Sequence, residues 1–318
     1  MAKAFASQAD TAEKQITFSR LSEHAYGFTA EGDPNSGVVV GDDAVMVVDT
    51  QPTPRMAEAV IERVRSVTDK PIRYVVLTHY HAVRVLGASA YGAQHVICSE
   101  ATRELIVERG AQDYKSEVQR FPRLFQAAET VPGLTSPTLT FSDHLTIWLG
   151  KLQVDIVHAG RGHTKGDTIV WLPDERTLFS GDLVDQGATP YAGDAYYKDW
   201  RLTLQKLREL GPLALLPGRG DALVGEEAVG QGIAGTEAFV GELYNTVAAS
   251  AEAGDSLKQA YDKAVAALQP RYGQWAVFDH CLPFDVARAY DEAKGMDHPR
   301  IWTAERDLEL WAALEGGE

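Results

Sequence analysis

The spacing of apolar residues along this chain changes character near residue 225. Before that point short β-branched runs alternate with amphipathic stretches, and after it the period is helical almost throughout. Residues 38–40 and 44–49 are two apolar runs split by Gly41-Asp42-Asp43, which predicts a hairpin. Thr53-Pro54 opens a helix, with threonine as N-cap and proline at the first helical position. Residues 73–78 (RYVVLT) read as a buried strand that runs directly into His79, and a long polar helix over roughly 100–129 follows. Two strands, 139–149 and 152–158, turn at Gly150-Lys151, and a second hairpin joins 168–172 to 177–180 around Pro173-Asp174. An amphipathic helix over 200–210 and a last strand at 213–216, ending at Pro217-Gly218, complete this region.

Beyond it, residues 226–250, 256–268, 284–294 and 304–314 are Ala/Glu/Leu-rich and helix-periodic, with Gly or Pro between them. The pattern therefore predicts an α/β domain over 1–225 and a helical C-terminal extension over 226–318. Trp275, Trp302 and Trp311 suggest that this extension is a lid or the face of a homodimer. GQGIAG at 230–235 matches GxGxxG by letter, but it follows a helical stretch rather than a strand, so the dinucleotide context is missing.

Composition narrows the function classes. The 318 residues suffice for one large domain or a core with an appendage. The formal net charge of −15, with no local Lys/Arg run, argues against nucleic acid as substrate or partner. No apolar run approaches the roughly 20 residues that span a bilayer, so no membrane role is expected. The N-terminus lacks an apolar signal core and Cys98 and Cys281 are the only cysteines, which makes a cytoplasmic location the expectation.

The candidate chemistry begins at Thr78-His79-Tyr80-His81, where two histidines leave a strand together. They can present both imidazoles to one side if the backbone turns between them, and a metal ion needs such convergent donors. Alone, the pair reads equally well as surface or packing histidines. Three further motifs strengthen it: Gly162-His163-Thr164-Lys165-Gly166-Asp167 in a glycine-flanked turn, Phe179-Ser180-Gly181-Asp182 at a strand end, and Leu216-Pro217-Gly218-Arg219-Gly220 at the last strand.

From about Asn35 to Gly220 these motifs, in this order and preceded by NSGVVVGDDAVMVVDT with Asp49, resemble the metallo-β-lactamase superfamily. The resemblance implies a four-layer αββα sandwich with metal bound at strand ends along one edge. It also implies that the first metal site is complete, with His79, His81 and His163 as ligands and Asp182 as a shared carboxylate. The family's HxHxDH motif is altered here: Val83 stands at the Asp position and Arg84 at the final His, and Arg219 replaces a later His. A guanidinium stays protonated and cannot ligate a metal. The expectation is thus one divalent ion, zinc by default with iron or manganese as alternatives.

Arg84 and Arg219 should then project toward the place of the missing second ion. There they either bind an anionic substrate group or oxyanion, or pair structurally with Asp182. Asp182 is the candidate general base, and Tyr80 a second candidate through its hydroxyl. A three-histidine site leaves a position for an activated water nucleophile. The leading expectation is a mononuclear hydrolase of a small, anionic or aromatic, ester-like substrate (ester, thioester or lactone). The competing ones are a metal-dependent lyase or isomerase on a small anion, and a non-catalytic binding protein that keeps the fold. By the same resemblance Asp49 supports the metal loop. His280-Cys281 reads as a loop between helices, or as a visitor to the pocket. Tyr196, Tyr197 and Trp200 read as pocket walls or helix-start packing. His24, His95, His144, His158 and His298 have no motif around them.

Overall fold

The computed structural model describes residues 4–316. Two antiparallel pairs open the chain: β1 (Thr17–Arg20) with β2 (Ala25–Thr29), and β3 (Ser36–Val40) with β4 (Val45–Val48) across the expected turn. Helix α1 (Pro54–Val67) starts as predicted, with the Thr53 hydroxyl accepting from the Met56 N–H. Strand β5 (Ile72–Val76), the one-turn α2 (Ala82–Val85), β6 (His95–Ser99), α3 (Glu100–Arg120) and β7 (Leu139–Phe141) complete a seven-stranded sheet in the order β1 to β7. Next come β8 (His144–Leu149), β9 (Leu152–His158), β10 (Thr168–Leu172), β11 (Thr177–Gly181), α4 (Tyr197–Glu209), β12 (Ala214–Pro217) and β13 (Leu223–Val224). These strands form a second sheet, ordered 13-12-11-10-9-8. Four helices close the chain: α5 (Glu226–Glu252), α6 (Leu257–Tyr272), α7 (Phe278–Ala293) and α8 (Ala304–Glu315).

The strand period of two builds the layers. In β4, Met46 and Val48 point between the sheets, while Val45 and Val47 point outward to α1 and α3. In β10, Val170 and Leu172 face the other sheet, and Ile169 and Trp171 face the helices. Every one of these positions is buried, which is why the strands read as continuous apolar runs rather than alternating ones. The result is the four-layer αββα sandwich that the motif order implied. Ile233, Phe239, Val240 and Leu243 of α5 share one cluster with Leu178 and Leu215 of the second sheet, so the C-terminal helices form part of its outer layer. Trp302 and Trp311 are buried within the chain against Phe5 and Phe284 rather than displayed on its surface. Among the described residues no helix is long and apolar enough to cross a membrane.

Four expectations are corrected. Residues 139–149 are not one strand: β7 pairs with β6 in the first sheet and β8 with β9 in the second, the chain crossing at Ser142-Asp143. The helix expected to reach 129 ends at Arg120, because Pro122 forces Phe121 into an extended φ of −135°. Helix α7 begins at Phe278, six residues before the predicted start, and carries Pro283 inside it. Burial of Phe278, Cys281, Leu282 and Phe284 around that proline holds the turn despite the lost N–H. His280 and Cys281 therefore lie on a helix and not in a loop. The GQGIAG stretch is mid-helix in α5, as expected for a chance match.

Candidate metal centre

Strand ends from both sheets converge at one edge of the sandwich. His79 follows β5, and His81 takes the N-cap position of α2 with an extended ψ of 140°, the backbone turn that lets both rings face the same way. His163 comes from the loop between β9 and β10, where Asp167 accepts from the Thr164 backbone N–H and hydroxyl and holds the loop closed. The three rings stand nearly perpendicular to one another, with centroids 4.6–4.9 Å apart. One nitrogen from each lies within 4.8 Å of the others, and His163 Nε2 is 3.0 Å from His81 Nδ1.

This donor set fits a metal ion. Nitrogens bound tetrahedrally at about 2.0–2.1 Å stand about 3.3–3.4 Å apart, close to the spacing seen. His79 Nε2 is buried without a hydrogen-bond partner, an orphan that a cation would satisfy. Asp182 Oδ2 lies 3.6 Å from that nitrogen and 3.7 Å from His163 Nε2, so the carboxylate belongs to the same cluster.

The outward nitrogens explain how the rings are aimed. Thr78 Oγ1 is 3.0 Å from His79 Nδ1, and Asp49 accepts from both the Thr78 N–H and its hydroxyl at 2.8 Å. Asp49 thus supports the loop through Thr78 and does not reach the centre. His81 Nε2 is 3.2 Å from Asp194 Oδ2, whose other oxygen accepts from Arg109 Nη1 at 3.3 Å. Tyr80 is buried behind His81, with ring centroids 4.5 Å apart. Carboxylates that fix an imidazole in this way commonly tune its basicity and orientation.

Burial keeps His79 well below the ordinary histidine range and lowers His163 to about 3, so both are neutral donors. Burial acts the same way on His81, but the hydrogen bond and charge of Asp194 outweigh it and raise His81 above its usual value. Asp182 is also desolvated, yet Arg84 foremost and the neighbouring imidazoles hold it ionised, well below the usual carboxylate range.

The two arginines have separate positions. Arg84 is fully buried; it donates to Asp182 Oδ1 and to the carbonyls of Gly218 at 2.8 Å and Asn35 at 2.9 Å. Gly218 must be glycine for this approach, since a Cβ there would lie 1.9 Å from Asp182 Oδ1. Arg219 instead lines a small cavity next to the histidines, together with His81, Val83, Glu117, Phe121, Asp182, Tyr191, Val277, His280 and Cys281. The free space in it is small, about 20 Å³. Tyr196, Tyr197 and Trp200 are absent from this wall. Tyr197 donates to the Asp285 carbonyl at 2.8 Å, and the Trp200 ring backs His163 at 5.8 Å. His158 bonds to the Lys165 carbonyl, and His24, His95, His144 and His298 lie elsewhere on the fold.

Asp194, Arg109, Tyr191 and Glu117 were not among the sequence candidates. Only Asp194 carries a local signal, its place after Gly193 in the loop that follows Asp182.

Comparison with known proteins agrees with the geometry. A family model described as the metallo-beta-lactamase superfamily matches residues 29–219. The chain is 24% identical over 202 residues to a metallo-beta-lactamase type 2 of Bacillus cereus, covering 61% of this chain and 70% of that one. It is 22% identical over 224 residues to a linear primary-alkylsulfatase of Pseudomonas sp. (strain ATCC 19151), covering 60% of this chain and 42% of that one. Among solved structures, a metallo-beta-lactamase from Pontibacter korlensis superposes with a TM-score of 0.56 at 21% identity, over 71% of this chain and 99% of that one. The stereoselective inverting sec-alkylsulfatase Pisa1 from Pseudomonas sp. gives a TM-score of 0.69 at 16% identity, over 87% of this chain and 50% of that one. With the family model spanning well over half of its length and three imidazoles converging at the sandwich edge, this chain belongs to the metallo-β-lactamase superfamily.

Proposed function

We propose that the protein is a mononuclear metal-dependent hydrolase acting on a small ester-like substrate: an ester, thioester or lactone. The observation that carries this reading is the pairing of an intact three-histidine cluster with Arg84 bound to Asp182, a cation of the chain itself at the shared carboxylate. His79, His81 and His163 would hold the ion, zinc by default, with Asp182 in reach as a fourth ligand. Bound there, the ion supplies Lewis acidity and lowers the pKa of a coordinated water toward neutrality.

The chain's own groups do the remaining work. Thr78 and Asp194 hold the first two imidazoles in register. Asp182 is kept ionised by Arg84, and its Oδ2 faces His79 and His163, where it can accept a hydrogen bond from a nucleophile and orient it. Val83 offers no proton acceptor at the position where the family usually has one. The two-cation clamp that favours phosphodiester cleavage has too few ligands here, which favours activated acyl groups as substrates.

The test is a panel of thioesters, lactones, aryl esters and aryl or alkyl sulfates, run on zinc-loaded protein with and without chelator. Turnover of an acyl substrate that chelation abolishes and zinc restores supports the reading. Turnover that survives chelation, or activity on sulfates alone, argues against it.

A further inference from the structure

The cavity beside the histidines carries charges of both signs, and all but one are already partnered. Glu117 accepts from Arg120, and Asp182 accepts from Arg84. Arg219 is the exception. It is only 8% exposed; its Nη1 donates to the Gly32 carbonyl at 3.0 Å, and the guanidinium makes no other hydrogen bond or ion pair among the described residues. A desolvated guanidinium with unused donors is costly unless an acceptor meets it.

Two further features aim at the same space. His280 lines the cavity at 5% exposure, and its Nδ1 has no hydrogen-bond partner. Helix α7 begins here: Val277 before it and His280 and Cys281 in its first turn all line the cavity. The 16-residue helix brings the partial positive charge of its N-terminus, while the Phe278, His280 and Cys281 N–H groups already bond to the Trp275 and Val277 carbonyls. Two side-chain donors thus meet near a helix N-terminus; the lining carboxylates Glu117 and Asp182 each accept from an arginine, and burial pushes Asp185, within reach of the Arg219 charge, toward its neutral form.

We propose that Arg219 and His280, beside the N-terminal end of α7, form an oxyanion-binding subsite, which takes the carboxylate or sulfate-type head group of the substrate. The space suits a small head group and not a larger body. Phe121, Val277 and His280 also line a second, outer pocket of about 240 Å³ with Trp275 and Phe278. The remainder of the substrate lies on that outer side, where Asp10 and Asp279 stand among the aromatic rings. This inference rests on the functional reading above only in taking the cavity as the substrate site. Anion binding itself does not require hydrolysis.

The experiment titrates sodium acetate and sodium sulfate into the full-length chain by calorimetry at constant ionic strength, in zinc-loaded and chelator-stripped forms. Saturable binding of at least one anion is expected in both forms, and the preferred anion names the head group. Arg219→Gln should weaken it at least tenfold and His280→Gln several-fold, with unchanged circular dichroism. The proposal is overturned if the wild type binds neither anion saturably, or if both variants keep full affinity. It is overturned equally if binding disappears when zinc is stripped, since the anion then sits on the ion. Should Arg219→Gln fail to fold, full affinity in His280→Gln alone overturns it. A negative hydrolysis panel with intact anion binding would sink the hydrolase reading and leave the subsite standing.

Discussion

His81 Nε2 lies 3.2 Å from Asp194 Oδ2 while Nδ1 of the same ring stands 3.0 Å from His163 Nε2. One imidazole is thereby anchored on its outer edge and offered on its inner edge, the arrangement that orients a metal ligand. Asp194→Ala should lower zinc affinity by about 10- to 100-fold, the usual scale for losing such a support. Competition against a chromogenic chelator measures it. Unchanged affinity would mean that Asp194 serves only the Arg109 contact.

Arg84 predicts a stability effect rather than a binding one. It is fully buried, and its removal leaves Asp182 desolvated without its main counter-charge. Arg84→Ala should cost about 3–5 kcal/mol in urea unfolding, the scale of a broken buried pair. Arg84→Met combined with Asp182→Asn should cost clearly less than the two single changes added together. Additive losses would show that the two side chains do not act as a pair.

Metal binding should depend on pH through His81. Its pKa is raised by Asp194 against the effect of burial, whereas His79 and His163 are already neutral near pH 7. A proton on His81 competes with the ion, so affinity falls as pH drops through the raised value, up to tenfold per unit, and levels off above it. Calorimetry in buffers of differing ionisation enthalpy should find up to one proton released per zinc, approaching one as pH falls below that value. Well below pH 7, where a coordinated water keeps its proton, release of two or three would contradict this assignment.

Much of the centre was legible because its signals are local. His79, His81, His163 and Asp182 each sit at a strand end or glycine-flanked turn that marks itself within five or six residues. The apolar runs likewise announced alternating strands and helices, and the sandwich itself came from the resemblance that the motif order carries. What stayed hidden is assembled at long range: Asp194 meets His81 across 113 residues, and His280 reaches the cavity from a helix whose start Pro283 obscured. Substituted motif positions told that Arg84 and Arg219 could not be ligands. Local pattern carries no information on which of the two would be sealed behind Asp182 and which would face open space. The split of residues 139–149 has the same origin, since no local rule says that a two-residue turn sends successive strands to different sheets.

A single metal ion held by His79, His81 and His163 is the feature on which every other role at this site depends. Mass-spectrometric metal analysis of the full-length chain after gentle purification and zinc reconstitution tests it most directly, with His163→Ala alongside. About one equivalent is expected in the wild type and near-complete loss in the variant. Two equivalents in the wild type, or occupancy that His163→Ala leaves unchanged, would contradict it.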